Sequence, residues 1–234
     1  MAIRLVVFDV AGTTIRDGGG AVRQAMHDAL AVRGLTLREG AMEGIAGMAK
    51  GHAIRTLIEG HGRDELLSEV DAIHADFTGR MIRYYRDSPA VAPVDGARES
   101  FDALRAAGTQ VALGTGFSRE ILDVVLARVG WAGDGAPIDA AIASDEVPRG
   151  RPWPDMIDAL RLRLGGIPYG EVAKVGDTPV DLHEGTMARC GFVVGVLSGA
   201  HTRESLGQHP NDALIDSVAE LPRLMQAKGL MPVS

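Results

Sequence analysis

The chain has 234 residues, 46% of them hydrophobic, which is enough for one sizeable core or for a core with a small satellite domain. The formal net charge of −7 argues against nucleic acid or an anionic membrane as the ligand, because both require clustered Lys and Arg. No apolar run reaches the ~18 residues that a spanning helix needs, and the single cysteine, Cys190, excludes an internal disulfide framework. Since residues 1–9 also lack the pattern of a signal peptide, we expect a cytoplasmic protein.

Short apolar runs alternate with helical patterns over most of the chain. The first run, residues 4–8, ends at Asp9 and predicts a buried parallel strand. Further strands are predicted at residues 110–113, 138–143, 172–175 and 192–196, and helices at 96–107, 118–129, 154–164 and 179–189. This alternation predicts an α/β fold with a parallel sheet, in which ligands bind at the carboxyl ends of the strands.

Residues 18–91 interrupt the alternation, because they contain no convincing strand. Helices are predicted at residues 21–33, 42–59 and 64–86. A glycine run at 18–20 and the prolines Pro89 and Pro93 mark both ends as hinge linkers. We therefore predict an α/β core domain of residues 1–17 and 92–234, with an inserted all-helical cap domain of residues 18–91 that can close over a substrate.

The turn after the first predicted strand combines a carboxylate with a glycine. Asp9 stands at the mouth of the sheet, and the turn that follows it contains Gly12 and Thr13. A carboxylate beside free backbone N–H groups suits a site for an anion or a metal, and makes these residues candidates for phosphate binding. An Asp that merely caps the turn would give the same pattern.

Two further candidate sites follow other predicted strands. Thr115 and the amide of Gly116 can donate hydrogen bonds to a phosphate oxygen, although a helix start capped by Ser118 explains the same residues. Arg151, in a Gly-Arg-Pro turn, offers a cation, although a lone arginine is more often solvated surface.

The last candidate site contains two carboxylates at a strand-to-helix junction. Asp177 and Asp181 are four residues apart and can both face a divalent cation, for which magnesium needs only one or two direct carboxylates. Alternatively, Asp181 only stabilises the first helical turn. Taken together, the four sites supply a nucleophile, a hydroxyl, a cation and metal-binding carboxylates, which are the groups that phosphoryl transfer requires.

The order of these residues resembles the four motifs of the haloacid dehalogenase superfamily, over residues 4–224. The resemblance implies a Rossmann-like core with an inserted helical cap, and an aspartyl-phosphate formed on Asp9. It further implies that Mg²⁺ is held by Asp9, Asp177 and the Ala11 carbonyl, with Asp181 supporting the metal. Thr115 and Arg151 would hold the phosphoryl oxygens.

Two departures from the general pattern resemble one branch of that superfamily. Most of its phosphatases carry a second Asp two residues after the nucleophile and a Lys in the third motif, where this chain has Ala11 and Arg151. The phosphonatase branch, which hydrolyses phosphonoacetaldehyde, is similar to this chain in reading Asp-x-Ala-Gly-Thr at residues 9–13 and Gly-Arg-Pro at residues 150–152.

Lysine is rare in this chain, since only three of its 24 basic residues are lysines. Cleavage of a carbon–phosphorus bond leaves a carbanion, and a lysine that condenses with an aldehyde provides the electron sink. By resemblance to phosphonatase, that lysine is Lys50 in the predicted cap, and Arg55 follows at the family's spacing as a substrate-binding residue. A lysine pKa near ~10.4 must then be lowered by burial or by a cation such as Mg²⁺ or Arg151. A solvated Lys50 is the alternative, and we attribute Lys174 and Lys228 to composition.

The residues expected at the aldehyde end of the site differ from those of the phosphonatase branch. Alanine occupies positions 46 and 53, phenylalanine position 117 and glycine position 19, where phosphonatase has Met, His, Tyr and Cys. A related but different phosphonate is therefore an open alternative. So are a phosphomonoester phosphatase or phosphomutase that uses His52 as its acid, and a non-catalytic phosphate-binding module. We expect a small-molecule substrate and a homodimer formed through the cap, although core packing explains the apolar positions of residues 21–30 equally well.

Overall fold

A computed structural model describes residues 2–199 and 201–232. In chain order the strands are β1 (Leu5–Phe8), β2 (Ile15–Asp17), β3 (Val91–Pro93), β4 (Gln110–Thr115), β5 (Ala140–Ala143), β6 (Val172–Gly176), β7 (Phe192–Val196) and β8 (Ala213–Ile215). The α-helices are α1 (Ala21–Ala31), α2 (Lys50–Gly60), α3 (Val70–Asp87), α4 (Ala97–Ala106), α5 (Arg119–Arg128), α6 (Asp155–Arg163), α7 (Pro179–Met187), α8 (Arg203–Leu206) and α9 (Leu221–Ala227).

Six strands form one parallel sheet in the order β5-β4-β1-β6-β7-β8. β1 lies in the middle, paired with β4 on one side and β6 on the other. The chain therefore reverses its winding direction at β1, and a crevice opens there beyond the carboxyl ends of the strands. The predicted α/β class with a Rossmann-like parallel sheet is confirmed.

The two faces of the sheet bury different side chains, as alternation along a strand requires. Leu5 and Val7 of β1 face one apolar cluster, which also contains Met156 of α6. Val6 and Phe8 face the other and larger cluster, to which α4 and α5 contribute. Because helices cover both faces, β1 is apolar throughout and delivers Asp9 to the crevice from a fully buried strand.

The predicted strands and helices of the sheet are present, with ends that shift by at most two residues. β8 was not predicted, because its three residues are too short to show a pattern. β2 and β3 were missed for the same reason, and they form an antiparallel ribbon at the positions where we expected hinge linkers. The two connections to the inserted segment are therefore hydrogen-bonded to each other and are not independent flexible linkers.

Residues 18–90, between the two strands of the ribbon, contain only helices, turns and loops. We refer to residues 18–91 as the cap segment. The single helix predicted at 42–59 is wrong, because the chain forms a 3₁₀ turn at Glu43–Ile45 and a loop before α2 begins at Lys50. Gly47 in that loop has a φ of +80°, which an α-helix does not allow. The division into a core domain and a movable cap domain stays a prediction.

The cap segment packs through α1, α2 and α3. In α1, the side chains of Ala25, Met26, Ala29 and Leu30 are buried within the same chain. Core packing therefore accounts for the apolar positions that also suggested a dimer, and dimerisation through the cap stays a prediction. Among the described residues, the chain has no helix that is both long and apolar enough to cross a membrane.

Candidate active site

The turn after β1 holds Asp9 in a fixed position beneath the cap segment. The Asp9 amide donates to the Val175 carbonyl at 2.8 Å, and the residue is only 5% exposed. The Thr14 hydroxyl donates to the Asp9 carbonyl at 2.9 Å. Gly12 has a φ of +88°, and a Cβ there would lie 2.6 Å from an Asp177 carboxylate oxygen, so only glycine fits this turn.

Three carboxylates converge at this turn. One oxygen each from Asp9, Asp177 and Asp181 lies within 4.8 Å of the others, and all three residues are buried. The Thr13 hydroxyl donates to Asp177 Oδ1 at 2.9 Å, which orients that carboxylate. A cluster of buried oxygen ligands is the donor set that hard divalent cations prefer. The geometry thus offers a cation site that β1, β6 and α7 build together.

Asp181 also stabilises the first turn of α7, which is the alternative role that its sequence position suggested. Its Oδ2 accepts hydrogen bonds from the Thr178 amide at 3.2 Å and the Thr178 hydroxyl at 2.6 Å, which completes a capping box at the start of α7. Burial opposes the ionisation of Asp181, but Arg151 and Lys174 outweigh it and lower the pKa of Asp181 to about 2. Asp181 is therefore both a helix cap and a permanent negative charge.

Arg151 lies in the centre of the site and is only 1% exposed, so the general tendency of arginines to be solvated does not hold here. Its Nη2 donates to Asp9 Oδ1 at 2.6 Å and to the Gly114 carbonyl at 3.3 Å, and its Nη1 donates to Asp181. Burial alone would lower the pKa of Arg151, but Asp181 and Asp9 hold it above its usual range. The guanidinium is thus a fixed cation beside the Asp9 carboxylate.

Lys174 and Glu184 form a second buried layer behind Arg151. Lys174 Nζ lies 2.9 Å from Asp181 Oδ1 and 3.1 Å from Glu184 Oε2, and Glu184 Oε2 lies 3.9 Å from Arg151 Nε. Lys174 and Glu184 are at most 1% exposed. Attributing Lys174 to composition was wrong, because its charge lies between two buried carboxylates. A lysine within the apolar run of β6, in a chain with few lysines, was the available signal.

The end of β4 supplies the third wall of the site. Thr115 is 2% exposed, and its hydroxyl accepts a hydrogen bond from the Phe117 amide at 3.2 Å. Gly116 is packed so closely that a Cβ would lie 2.6 Å from the Met48 carbonyl oxygen of the cap segment. The expectation that Ser118 caps α5 through its side chain is wrong, since the Ser118 hydroxyl has no hydrogen-bond partner among the described residues.

Lys50 enters the site from the cap segment as the first residue of α2. The side chain is only 6% exposed, so the solvated alternative does not hold. Its Nζ donates to the Met48 carbonyl at 3.0 Å and lies 5.1 Å from the centre of the Phe117 ring. Burial, with a smaller contribution from the Arg151 charge, lowers the pKa of Lys50 to about 8. A lysine with that pKa is partly a free amine near neutral pH.

The loop that precedes α2 contacts three loops of the sheet domain at once. Its Gly47 and Met48 lie against Gly116, and a Cβ on Gly47 would come within 2.5 Å of the Thr178 hydroxyl. A Cβ on Gly150 would come within 2.7 Å of the Ala49 Cβ. Glycines at these contacts therefore let the cap segment approach closely enough for Lys50 to line the same cavity as Asp9.

A cavity of about 780 Å³ joins these groups, and its walls include Asp9, Ala11, Gly12, Lys50, Thr115, Gly116, Arg151 and Asp177. Arg55 is not among its lining residues, and its side chain is exposed, so the structure does not support the expected grouping of Arg55 with the site. Five residues along a helix correspond to a rotation of roughly 140° from Lys50, which turns Arg55 away. His52 is likewise exposed and outside the cavity.

Ser198 and Gly199 also belong to the site, although neither residue was predicted from the sequence. The Ser198 hydroxyl donates to the Gly12 carbonyl at 2.8 Å, and a Cβ on Gly199 would overlap the Asp177 carboxylate. Both residues follow β7 and line the cavity. The rule that functional residues follow parallel strands would have found them if it had been applied to every strand.

A family model described as haloacid dehalogenase-like hydrolase matches residues 3–188, so the chain belongs to this family of hydrolases. Membership of an enzyme family sets aside the alternative of a non-catalytic binding module. A curated relative, phosphonoacetaldehyde hydrolase from Bacillus cereus, is 32% identical over 209 residues, which cover 86% of this chain and 78% of the relative.

Solved structures with the same fold carry more than one functional name. A phosphonoacetaldehyde hydrolase-like protein from Oleispira antarctica superposes with a TM-score of 0.82 at 22% identity, covering 99% of this chain and 96% of that one. A predicted phosphoglycolate phosphatase from Haemophilus somnus superposes with a TM-score of 0.75 at 17% identity, covering 96% and 98% of the two chains. These likenesses define the fold, and the chemistry has to be argued from the site.

Proposed function

We propose that this protein is a phosphonatase-like hydrolase that cleaves the carbon–phosphorus bond of phosphonoacetaldehyde or of a related oxo-phosphonate. The observation that carries the proposal is the position of Lys50, a buried amine with a pKa lowered to about 8 that lines the same cavity as Asp9. An amine nucleophile and a carboxylate nucleophile that face one cavity suit a substrate with a carbonyl carbon and a phosphorus atom.

In the proposed reaction, the Lys50 amine condenses with the substrate carbonyl and releases water, which gives a protonated imine. Asp9 then attacks phosphorus, and the carbon–phosphorus electron pair moves onto carbon and is delocalised to the imine nitrogen as an enamine. Protonation of that carbon and hydrolysis of the imine release the dephosphonylated aldehyde. A second water hydrolyses the aspartyl-phosphate, which releases phosphate and restores Asp9.

Arg151 and Thr115 bind the phosphoryl group in this proposal. The Arg151 guanidinium donates to Asp9 Oδ1 at 2.6 Å, so a phosphorus atom positioned for attack by Asp9 lies directly beside a fixed positive charge. Thr115 is the last residue of the neighbouring strand β4 and lines the same cavity. Gly12 and Gly116 also line this cavity. Preorganised donors of this kind stabilise the charge that builds up on the phosphoryl oxygens in the transition state.

The three buried carboxylates fit Mg²⁺, with Asp9 and Asp177 as direct ligands, the Ala11 carbonyl completing the protein ligands and Asp181 in support. The bound ion would supply positive charge against the phosphoryl oxygens. Burial raises the pKa of Asp9, and Arg151 only partly offsets this effect. A divalent cation favours ionised Asp9, so the site is chemically suited to a metal.

The second candidate, a phosphomonoester phosphatase or phosphomutase, requires a proton donor for an ester oxygen. Ala11 occupies the position that would carry that acid, and His52 is exposed and outside the cavity. Among the described residues that line the cavity, only Asp9 and Asp177 are acidic, and none is a histidine. These observations favour a reaction in which the leaving group is carbon and needs an electron sink.

Borohydride trapping tests the imine directly. The wild-type protein and Asp9→Asn are incubated with phosphonoacetaldehyde, Mg²⁺ and borohydride, and peptides are then mapped by mass spectrometry. Because the chain has only three lysines, the modified residue is assigned without ambiguity. Lys50 of the wild type should carry an ethyl group, the reduced product imine, whereas Asp9→Asn should carry a phosphonoethyl group because the carbon–phosphorus bond is not broken.

Lys228 is the internal control, because it is an exposed lysine of the same chain. Equal modification of Lys228 and Lys50 would show nonspecific chemistry and would contradict the imine step. Absence of any Lys50 adduct, together with turnover of a phosphate ester by the same preparation, would favour the phosphatase candidate.

A further inference from the structure

The cavity is much larger than a two-carbon phosphonate. Its volume of about 780 Å³ lies within the roughly 300–1,000 Å³ of cavities that bind drug-sized ligands. From Asp9 and Lys50 the cavity extends along the ribbon and the first turn of α1, where Arg16, Gly19, Gly20 and Val22 line it. Phosphonoacetaldehyde would fill only the end near Asp9.

Small side chains keep the far part of the cavity open. A Cβ built on Gly19 or on Gly20 would meet no atom within 4 Å. Ala90 lines the same region beside Gly18 and contributes only a methyl group. The cavity is therefore wide here because its lining residues are small. This space can hold several substrate atoms beyond the carbonyl group.

The part of the cavity near the sheet carries both signs of charge, since Lys50 and Arg151 line it beside two carboxylates, whereas the described lining residues near the ribbon carry only positive charge. Asp9 and Asp177, at the end near the sheet, are the only acidic residues among the described lining residues. The part near the ribbon contains Arg16 and Arg23. Arg16 pairs with Asp95, 3.1 Å away, whereas no described side chain forms an ion pair or a hydrogen bond with Arg23.

An unpaired guanidinium on the wall of a substrate cavity is a recognition group for an anion. Arginine binds a carboxylate through two parallel hydrogen bonds, which no neutral substrate group reproduces. The first turn of α1, where Arg23 lies, contains no acidic residue that would compete for it. The part of the substrate that reaches Arg23 should therefore be negatively charged.

We propose, on the basis of the function proposed above, that the substrate is an oxo-phosphonate with a second anion. It carries phosphorus on the carbon next to a ketone carbonyl, and a carboxylate on the other side of that ketone binds Arg23. Its hydrolysis breaks one carbon–phosphorus bond, forms a phosphorus–oxygen bond and a carbon–hydrogen bond from water, and releases phosphate and an oxo-carboxylic acid.

The test compares two substrates that differ only in charge: phosphonolevulinate, in which two methylenes separate the ketone from a carboxylate, and its carboxyl methyl ester. Phosphate release is measured for the wild type, Arg23→Gln and Arg86→Gln. Arg86→Gln is the matched control, because Arg86 is also an exposed arginine of the cap segment but does not line the cavity. The wild type and Arg86→Gln should prefer the acid by about fivefold in kcat/KM, the size expected for a partly exposed ion pair.

Arg23→Gln should lose this preference, because its kcat/KM for the acid should fall to about its value for the ester. An equal preference for the acid in Arg23→Gln and Arg86→Gln, or no preference in the wild type, would overturn the proposal.

A binding arm separates this proposal from the proposed reaction. Phosphonobutyrate and its carboxyl methyl ester have no ketone or aldehyde group, so their calorimetric binding requires neither Lys50 chemistry nor bond cleavage. Tighter binding of the acid that disappears in Arg23→Gln supports the anion site even if no phosphonate is hydrolysed, in which case only the proposed reaction fails. Equal binding of acid and ester to the wild type would contradict the anion site independently of catalysis.

Discussion

Lys50 shows at the residue scale how burial creates reactivity at the expense of stability. Its ammonium group leaves water on folding, and the Phe117 ring and the Met48 carbonyl replace only part of its hydration. Desolvation therefore lowers the pKa of Lys50 to about 8, from 10.5 in the unfolded chain. The same shift that makes the amine nucleophilic must weaken the folded state at any pH where lysine is charged in the unfolded chain.

The sign of this effect predicts that Lys50→Met is more stable than the wild type at neutral pH. Between the folded pKa of about 8 and the unfolded value of 10.5, the unfolded chain binds the additional proton, so stability rises with pH in that window. Below pH 8 the full penalty applies, and removing the charge should raise the free energy of unfolding by roughly 3 kcal/mol at pH 7.

Urea denaturation at pH 7 and pH 9 measures this difference, which should be smaller at the higher pH. Lys228→Met is the control and should change stability by less than about 0.5 kcal/mol, because Lys228 is exposed. A Lys50→Met protein less stable than the wild type at pH 7 would contradict the assigned environment of Lys50.

Lys174 has the opposite electrostatic environment, although both lysines are buried. Burial alone would lower the pKa of Lys174, but Asp181 and Glu184 raise it above its usual value. Lys174→Met removes one of the two cations that those carboxylates share, the other being Arg151, and should lower the free energy of unfolding by about 3–5 kcal/mol.

Adding Glu184→Gln to Lys174→Met should recover part of the loss, because it removes one of the uncompensated charges. Thermal or urea unfolding of the single and double variants measures the coupling between the two residues. Wild-type stability of Lys174→Met would show that the ion pairs contribute nothing.

At the element scale, the close approach of the cap segment depends on glycines at the contact. Gly116 lies at the end of β4, and its missing side chain admits the carbonyls of Gly47 and Met48. Because Lys50 begins α2 directly after this loop, a displacement of the loop displaces the amine. Reactions that require a fixed geometry lose rate steeply when a reacting group moves by about 1 Å.

Gly116→Ala should therefore lower kcat by roughly a hundredfold, the loss expected for a displacement of that size, with little change in melting temperature. Gly44→Ala is the matched control, since Gly44 also lies in the cap segment and a Cβ there meets no atom within 4 Å. Steady-state phosphate release and thermal melting are measured for both variants. Equal activity of the two variants would show that the contact at Gly116 does not position Lys50.

The elements that the sequence predicted well are those with long apolar patterns, and the ones it missed were short. β7 was predicted with its observed ends, because five consecutive apolar or small residues suit a strand buried on both faces. The ribbon of β2 and β3 was missed, because three-residue strands carry no alternation. The break before α2 was also missed, although Gly47 marked the position.

At the scale of the whole molecule, some site residues could be predicted from the sequence and others could not. Asp9, Thr115 and Asp177 were predictable, because each stands at or just past the end of a parallel strand and those ends converge. The ion pair between Lys174 and Glu184 was not predictable, because it depends on how α7 packs against β6. The volume of the cavity and the exposed position of Arg55 were also beyond the sequence, since both depend on the orientation of helices.

The whole molecule joins a cluster of carboxylates at the carboxyl ends of the strands to a lysine carried by the cap segment, and our central claim is that both parts act on one substrate. The most direct test is Mg²⁺-dependent phosphate release from phosphonoacetaldehyde by the wild type and by Lys50→Arg. The substitution keeps a positive charge but removes the amine nucleophile, since arginine does not deprotonate. We predict release by the wild type and none by Lys50→Arg, whereas equal release by both proteins, or release only from phosphate esters, would contradict the claim.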